Sequence, residues 1–200
     1  SATAATVYGV AIKDVSKDMR RIAKVMNFGV IYGLSPYGIS QQTNLSVEQG
    51  AEFVEIYFGR YPEIKSYIEN TKTTAKDSGY VETILGRRRY IPEINSGDFQ
   101  ARQAAERMAV NMPIQGSAAD ILKIATIQIY EKLSVLRMRS RMVLHVHDEL
   151  IFEARNEEIE LLIREVTKLM SSALPLAVPL KVDFKVGSTW QDMDPVDLPS

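Results

Sequence analysis

The stretch that most constrains the fold is Leu144-His145-Val146-His147-Asp148-Glu149-Leu150-Ile151-Phe152. Two apolar runs flank a short polar centre, and both runs read as strands. So few residues lie between them that the chain has room only for a tight antiparallel turn. The centre is chemically unusual as well. His145 and His147 are the only histidines in the 200 residues, and both stand beside the carboxylates Asp148 and Glu149.

Most of the chain before this hairpin reads as helix. A helix is expected over about 16–33, and Ser46-x-x-Gln49 is a capping-box signature for another. Pro62 suits the first turn of a helix whose positions Ile64, Tyr67, Ile68 and Thr71 recur at helical spacing and which stops at Gly79. Tyr80–Pro92 reads as a hairpin turning near Gly86. Asp98 is expected to cap a helix ending before Pro113, and Ser117-x-x-Asp120 to start a separate long amphipathic one. After the His-Asp hairpin, Asn156 is expected to cap an acidic helix, and LKVDFKVG to form a last strand before a Pro-containing tail. The pattern is α+β.

Composition closes several routes. With no Cys there is neither a disulfide, nor a thiolate zinc site, nor a thiol nucleophile. No apolar run approaches the roughly 20 residues that span a bilayer, and an intracellular, cytoplasmic location is expected. The net charge of −1 argues against gripping a polyanion by bulk charge, but its distribution is uneven. Residues 1–147 hold 19 Lys and Arg against 14 Asp and Glu, and residues 148–200 hold 5 against 11. Basic clusters at Lys17-Arg20-Arg21-Lys24, Arg87-Arg88-Arg89 and Arg137-Arg139-Arg141 can grip phosphates locally.

On a helical wheel, Ile22, Val25, Met26 and Gly29 form the expected core stripe of the 16–33 helix. Arg20, Lys24, Phe28 and Tyr32 form an i, i+4, i+8, i+12 row on another side. Spacing alone favours aromatics that widen the buried face beside solvated cations. The alternative is a nucleotide platform, with cations for a triphosphate and Phe28 as a flat face for a base or sugar. A second row, Gln103, Arg107, Asn111 and Gln115, also repeats at i+4. It is either an ordinary exposed polar face or a set of donors for the minor-groove acceptors that every base pair presents.

The acidic turn admits three readings: a polar hairpin tip, a zinc site or a magnesium site. A catalytic zinc generally needs three protein ligands, and the chain has no further His and no Cys. Hard Mg²⁺ prefers carboxylates with substrate phosphates, so Asp148 suits it. Asp148 and Glu149 are neighbours whose side chains diverge in extended backbone, so a second carboxylate is expected from elsewhere. Asp183 is the one candidate, without independent support.

Together these features resemble family A (DNA polymerase I-type) DNA polymerases. Arg20-x-x-x-Lys24-x-x-x-Phe28-Gly29-x-x-Tyr32-Gly33 is similar to the nucleotide-binding fingers helix of that family. Arg107, Asn111 and Gln115 stand in a segment similar to its AERMAxNxPxQG stretch, and Val146-His147-Asp148-Glu149 resembles its third catalytic motif. The resemblance runs along essentially the whole chain. It implies a helical fingers region (1–92) packed with part of an antiparallel palm sheet (93–200), and template-directed addition of deoxynucleotides to a primer 3′ end.

By the same resemblance, Arg20 and Lys24 would hold the incoming dNTP, with Lys24 also a proton donor to the leaving pyrophosphate. Phe28 would stack on sugar and base, in the form implied to disfavour dideoxynucleotides, and Tyr32 would sit near the templating position. Arg107, Asn111 and Gln115 would track the primer–template DNA, with His147 near the primer end. Asp148 would bind two Mg²⁺ ions, and Glu149 would support the site. The family's first catalytic motif, which carries another metal-binding Asp, is absent, so half of the metal cage is missing. The chain is therefore expected to be inactive alone, as part of a longer enzyme of replication or repair that acts as a monomer. Glu149 follows the His-Asp pair where single-subunit RNA polymerases have Ser, so DNA synthesis is favoured over RNA synthesis. A non-catalytic nucleic-acid-binding module is the remaining alternative.

Overall fold

In the computed structural model, residues 2–43 and 45–196 are described. The protein is mostly helical, with three separate two-stranded antiparallel sheets, and it divides into two units, Ser1–Gln115 and Gly116–Ser200.

The first unit is built from short helices whose ends follow from their sequence. A helix α1 (Ala2–Tyr8) precedes α2 (Lys17–Ile31), where the Ser16 hydroxyl accepts from the Met19 amide at 3.1 Å. Then come α3 (Pro36–Gln42) and α4 (Val47–Arg60), and α4 carries the expected capping box. Gln49 N–H donates to Ser46 Oγ at 3.2 Å, and Ser46 N–H donates to Gln49 Oε1 at 2.9 Å. Helix α5 (Pro62–Ser78) begins on its proline and stops at Gly79, which adopts φ +76. Strands β1 (Tyr80–Glu82) and β2 (Arg88–Tyr90) form the expected hairpin, with Tyr80 opposite Tyr90.

Two apolar clusters hold this unit. Met26, Val30, Ile39, Phe53 and Tyr57 pack together from α2, α3 and α4. The buried face of α2 is Ala23, Met26, Gly29 and Val30, so it is rotated slightly from the expected stripe, with Ile22 and Val25 half-buried. Ala75, Val81, Ile91, Ile94, Ala105, Ala109 and Met112 form the other cluster. The Tyr67 hydroxyl ties α5 to the next helix by donating to the Val110 carbonyl at 3.0 Å.

That next helix, α6 (Phe99–Val135), corrects the expectation of two helices broken at Pro113. Asp98 Oδ1 caps its start, accepting from the Ala101 amide at 2.7 Å, but the helix then runs through Pro113 and makes Ser117 an interior residue. A proline inside a helix costs about 3 kcal/mol. Each fully buried large apolar side chain returns about 1.5–3 kcal/mol, and α6 buries Val110 and Met112 before the proline and Leu122, Ile129 and Leu133 after it. Burial on both sides outweighs the break.

In the second unit, Ala125, Ile129, Leu133, Leu162, Val166 and Ala173 form the core. Strands β3 (Arg141–Val146) and β4 (Glu149–Glu153) pair as the opening hairpin, with Val146 opposite Glu149 and a register shift between Met142 and Leu144. Asn156 does not cap a helix as expected. It starts a short 3₁₀ turn, and α7 (Ile159–Ser171) follows. The last expected strand is shortened to β5 (Phe184–Gly187). It pairs with β6 (Met193–Val196), which lies in the stretch expected to be tail. Pro195 is tolerated there because the sheet is only two strands wide. The end of the Pro-containing tail, residues 197–200, lies outside the described residues.

Candidate functional site

The first unit presents both polar rows. On α2, Arg20, Lys24 and Phe28 are exposed and Tyr32 is half-buried. The Lys24 ammonium lies 5.9 Å from the centroid of the Phe28 ring, within cation–π range. Phe28 and Tyr32 stack at 6.0 Å between centroids, with 21° between planes. Phe28 is 47% exposed, so it is not a core aromatic, and the reading in which it widens the buried face fails.

Beside this row lies an open hollow of about 720 Å³, whose walls include Lys17, Arg20, Arg21, Lys24 and Phe28. Arg21 is drawn toward Asp18 at 3.7 Å, whereas Arg20 and Lys24 have no acidic partner among the described residues. A concave surface with uncompensated cations and one flat aromatic face is suited to a phosphorylated aromatic ligand. Asn27, passed over in the sequence, lines the same hollow. Its Nδ2 donates to Thr3 Oγ1 at 3.1 Å and so joins α2 to α1, while its buried Oδ1 has no hydrogen-bond partner. The available signal was an amide placed mid-helix, where Asn is a poor helix former.

On α6, Gln103, Arg107 and Gln115 are exposed and Asn111 is half-buried, with its buried Oδ1 also unpartnered. Arg107 packs against Gly33, which adopts φ +76. A methyl group at Gly33 would meet Arg107 Cγ at 3.2 Å, closer than ordinary contact. The glycine after the α2 row therefore leaves space for the arginine stem of the α6 row.

The second unit presents the hairpin. His147 and Asp148 are the two residues between the last paired positions, Val146 and Glu149, and all of His147, Asp148 and Glu149 are exposed. His147 adopts φ 56, a left-handed conformation that costs a side-chain-bearing residue about 1–2 kcal/mol. The His145 ring reaches along its own strand, and its Nε2 donates to the His147 carbonyl oxygen at 2.9 Å. A carbonyl only accepts, so Nε2 carries the proton.

The base of the hairpin is anchored by Glu158. Its carboxylate accepts from the Arg139 amide at 3.0 Å, from the Ser140 amide at 2.8 Å and from the Ser140 hydroxyl at 2.6 Å. These bonds, the Arg139 amide foremost, hold its carboxyl below the usual glutamate value. Sequence reasoning missed Glu158, because its partners lie 18 and 19 residues away.

Neither Asp148 nor Glu149 forms an ion pair among the described residues, so their oxygens are open to a cation. Asp183, weighed as a second ligand, is exposed and bound to Lys181 at 2.7 Å. Among the described residues, no group of three or more His, Cys, Asp or Glu forms that could hold a metal ion.

Comparison with known proteins bears on this arrangement. The chain belongs to DNA polymerase family A, whose profile matches residues 1–192. It is 51% identical over 190 residues to DNA polymerase I of Bacillus caldotenax, and 50% identical over 190 residues to that of Geobacillus stearothermophilus. In each case 95% of this chain is aligned to 22% of the relative, so the chain spans about a fifth of the length of these relatives. It is also similar to the POL domain of Pol1 from M. smegmatis, solved in complex with DNA primer-template and dNTP. That likeness has a TM-score of 0.85 and 44% identity, covering 90% of this chain and 32% of that one.

Proposed function

We propose that this chain carries the nucleotide-binding and duplex-tracking parts, and one catalytic carboxylate, of an enzyme that extends a primer 3′ end with deoxynucleotides under the direction of a template. The observation that carries this reading is the Lys24–Phe28–Tyr32 stack, with Lys24 and Phe28 exposed, beside a hollow walled by Arg20 and Lys24. Residues 1–92 are then the fingers part, and 93–200 the later palm part. The cytoplasm, where the DNA substrate lies, is the proposed location, and among the described residues no helix is long and apolar enough to cross a membrane.

In this reading Arg20 and Lys24 bind the triphosphate of the dNTP through charge-assisted hydrogen bonds. Lys24 also gives a proton to the leaving pyrophosphate oxygen, which lowers the charge that departs. Phe28 presents its exposed face to the sugar and base, and Tyr32, stacked behind it, borders the templating position. Arg107, Asn111 and Gln115 donate to minor-groove acceptors without selecting sequence. His147 stands by the primer end, and Glu149 supports the turn.

The donor chemistry at the turn fits a hard divalent cation, since Asp148 and Glu149 are exposed oxygen donors without a competing cation. Asp148 would hold the ions. When bound, two Mg²⁺ ions neutralise the charge on the attacking and leaving oxygens. A further carboxylate is required, and the described residues set none in a metal-holding group with Asp148. That favours a second reading for the 200-residue chain taken alone, namely primer–template binding without catalysis.

Asp148→Asn in a full-length polymerase containing this stretch is expected to abolish extension and to leave primer–template binding nearly intact. Extension that persists would remove Asp148 from the mechanism. The purified 200-residue chain is expected to bind primer–template DNA in a salt-dependent way and to add no nucleotide; robust extension by it would overturn the incomplete-site reading.

A further inference from the structure

His145 remains after the proposed function has used the rest of the hairpin. We infer that His145 is a positioning residue for Asp148, acting through the peptide bond that joins His147 to Asp148. The inference rests on the reading of Asp148 as the metal-binding carboxylate.

The two-residue turn has one positive φ, at His147 (φ 56), and none at Asp148. A positive φ at the first central residue alone is the pattern of a type II′ turn, and positive φ at both central residues is that of type I′. The two forms differ chiefly by rotation of the central peptide, here the one between His147 and Asp148. Glycine is the residue ordinarily favoured at the first position of a II′ turn. This chain has His147 there, and Asp148 is of a type that tolerates the left-handed conformation which I′ would demand of it. Local preference therefore does not select the observed form.

The 2.9 Å hydrogen bond from His145 does select it. The acceptor is the carbonyl oxygen of that central peptide, so the bond breaks when the peptide rotates. His145 is the last strand residue but one and His147 the first residue of the turn, so the ring needs only to lean forward past Val146 to reach. Rotation of the peptide would keep the Cα positions but reverse the carbonyl and the Asp148 N–H. The changed φ at Asp148 would alter which χ1 rotamers, and hence which carboxylate directions, it can adopt. Neither strand partner supplies this restraint: His145 pairs with Leu150 and Val146 with Glu149, and the turn lies beyond both.

The test is made in a full-length polymerase containing this stretch, with His145→Leu, which cannot donate, and His145→Gln, whose side-chain amide can donate to the same carbonyl. Single-nucleotide incorporation is measured under rapid-quench conditions. Mn²⁺ binding to the complex with a dideoxy-terminated primer is measured separately by electron paramagnetic resonance, so that no turnover is involved. His145→Leu is expected to lower the incorporation rate about 2- to 10-fold, the loss of one hydrogen bond. It should also weaken Mn²⁺ binding, with the KM for dNTP and the Kd for primer–template unchanged. His145→Gln is expected to restore both the rate and the Mn²⁺ affinity to within about 2-fold.

A uniform loss across all parameters in His145→Leu that Gln does not restore means a merely structural role, and overturns the inference. So does an unchanged rate and unchanged Mn²⁺ binding in His145→Leu. Asp148→Asn separates the two layers. If it abolishes extension while His145→Leu behaves as wild type, the inference about His145 alone falls. If extension survives Asp148→Asn, the reading of Asp148 falls and takes this inference with it.

Discussion

Gly33 and Gly79 allow backbone strain to be separated from side-chain contact. Both adopt φ +76. Around Gly79 an added methyl meets nothing within 4 Å, whereas at Gly33 it meets Arg107 Cγ at 3.2 Å. Substitution by Ala at either position costs the left-handed penalty of about 1–2 kcal/mol. At Gly33 the arginine stem must also give way by a few tenths of an ångström, and twisting its side chain toward an off-rotamer angle to do so adds about 0.5–1.5 kcal/mol. Gly33→Ala is therefore expected to be the more destabilising by that second amount, or about 1–6 °C in melting temperature at about 2–4 °C per kcal/mol.

The functional consequence follows from which side chain is displaced. Arg107 belongs to the α6 row proposed to track the duplex. Gly33→Ala should thus weaken primer–template binding by a full-length polymerase about 2- to 10-fold, while Gly79→Ala leaves it unchanged. The assays are thermal melting followed by circular dichroism and fluorescence-anisotropy titration of a labelled primer–template. In the double variant Gly33→Ala/Arg107→Ala the contact component should vanish, leaving a non-additive cycle. Equal destabilisation by the two glycine variants, with equal duplex affinity, would refute the contact.

Three further outcomes are expected. Lys24→Ala should raise the KM for dNTP about 10-fold or more while changing primer–template affinity little; steady-state kinetics against anisotropy titration checks this, and the reverse order would count against the α2 platform. Glu158 has a folded-state value below the ordinary 4.5. Its stabilisation is therefore present above about 4.5 and lost as pH falls through the lowered value. The melting-temperature gap between wild type and Glu158→Gln should accordingly close on acidification from about pH 6 to about pH 3, and a gap that widens would reverse the assignment. Ile129→Ala, at a side chain only 1% exposed in the second-unit core, should cost about 2–4 kcal/mol in urea unfolding.

The candidate site was legible only in part. The α2 row could be read because four side chains at i+4 spacing must share a helix face, and the family resemblance assigned roles to the same four residues. Whether Phe28 was buried or exposed was not legible, since the spacing fits either. The turn could be read as a hairpin presenting Asp148. The division of labour between its histidines could not, because a hydrogen bond from a ring to a carbonyl two residues on depends on χ angles that no pattern encodes.

What the sequence by itself determined are features whose partners lie within about four residues. Ser16 at the head of α2, the Ser46–Gln49 capping box, the stop at Gly79 and the Val146–Glu149 hairpin all satisfy backbone groups locally, so each reads directly from residue type and spacing. What only the tertiary structure decided are features whose energies come from distant residues. Helix α6 passes through Pro113 because buried side chains on both sides outweigh the missing bond, and β6 exists because β5 is there to pair with it. Glu158 stands at the head of α7, but its side chain holds the base of the hairpin instead of capping that helix, since the Arg139 and Ser140 amides needed an acceptor. Local propensities are worth a fraction of a kcal/mol per residue, while burial and buried polar satisfaction are worth several times that. Where the two conflict, burial and polar satisfaction prevail.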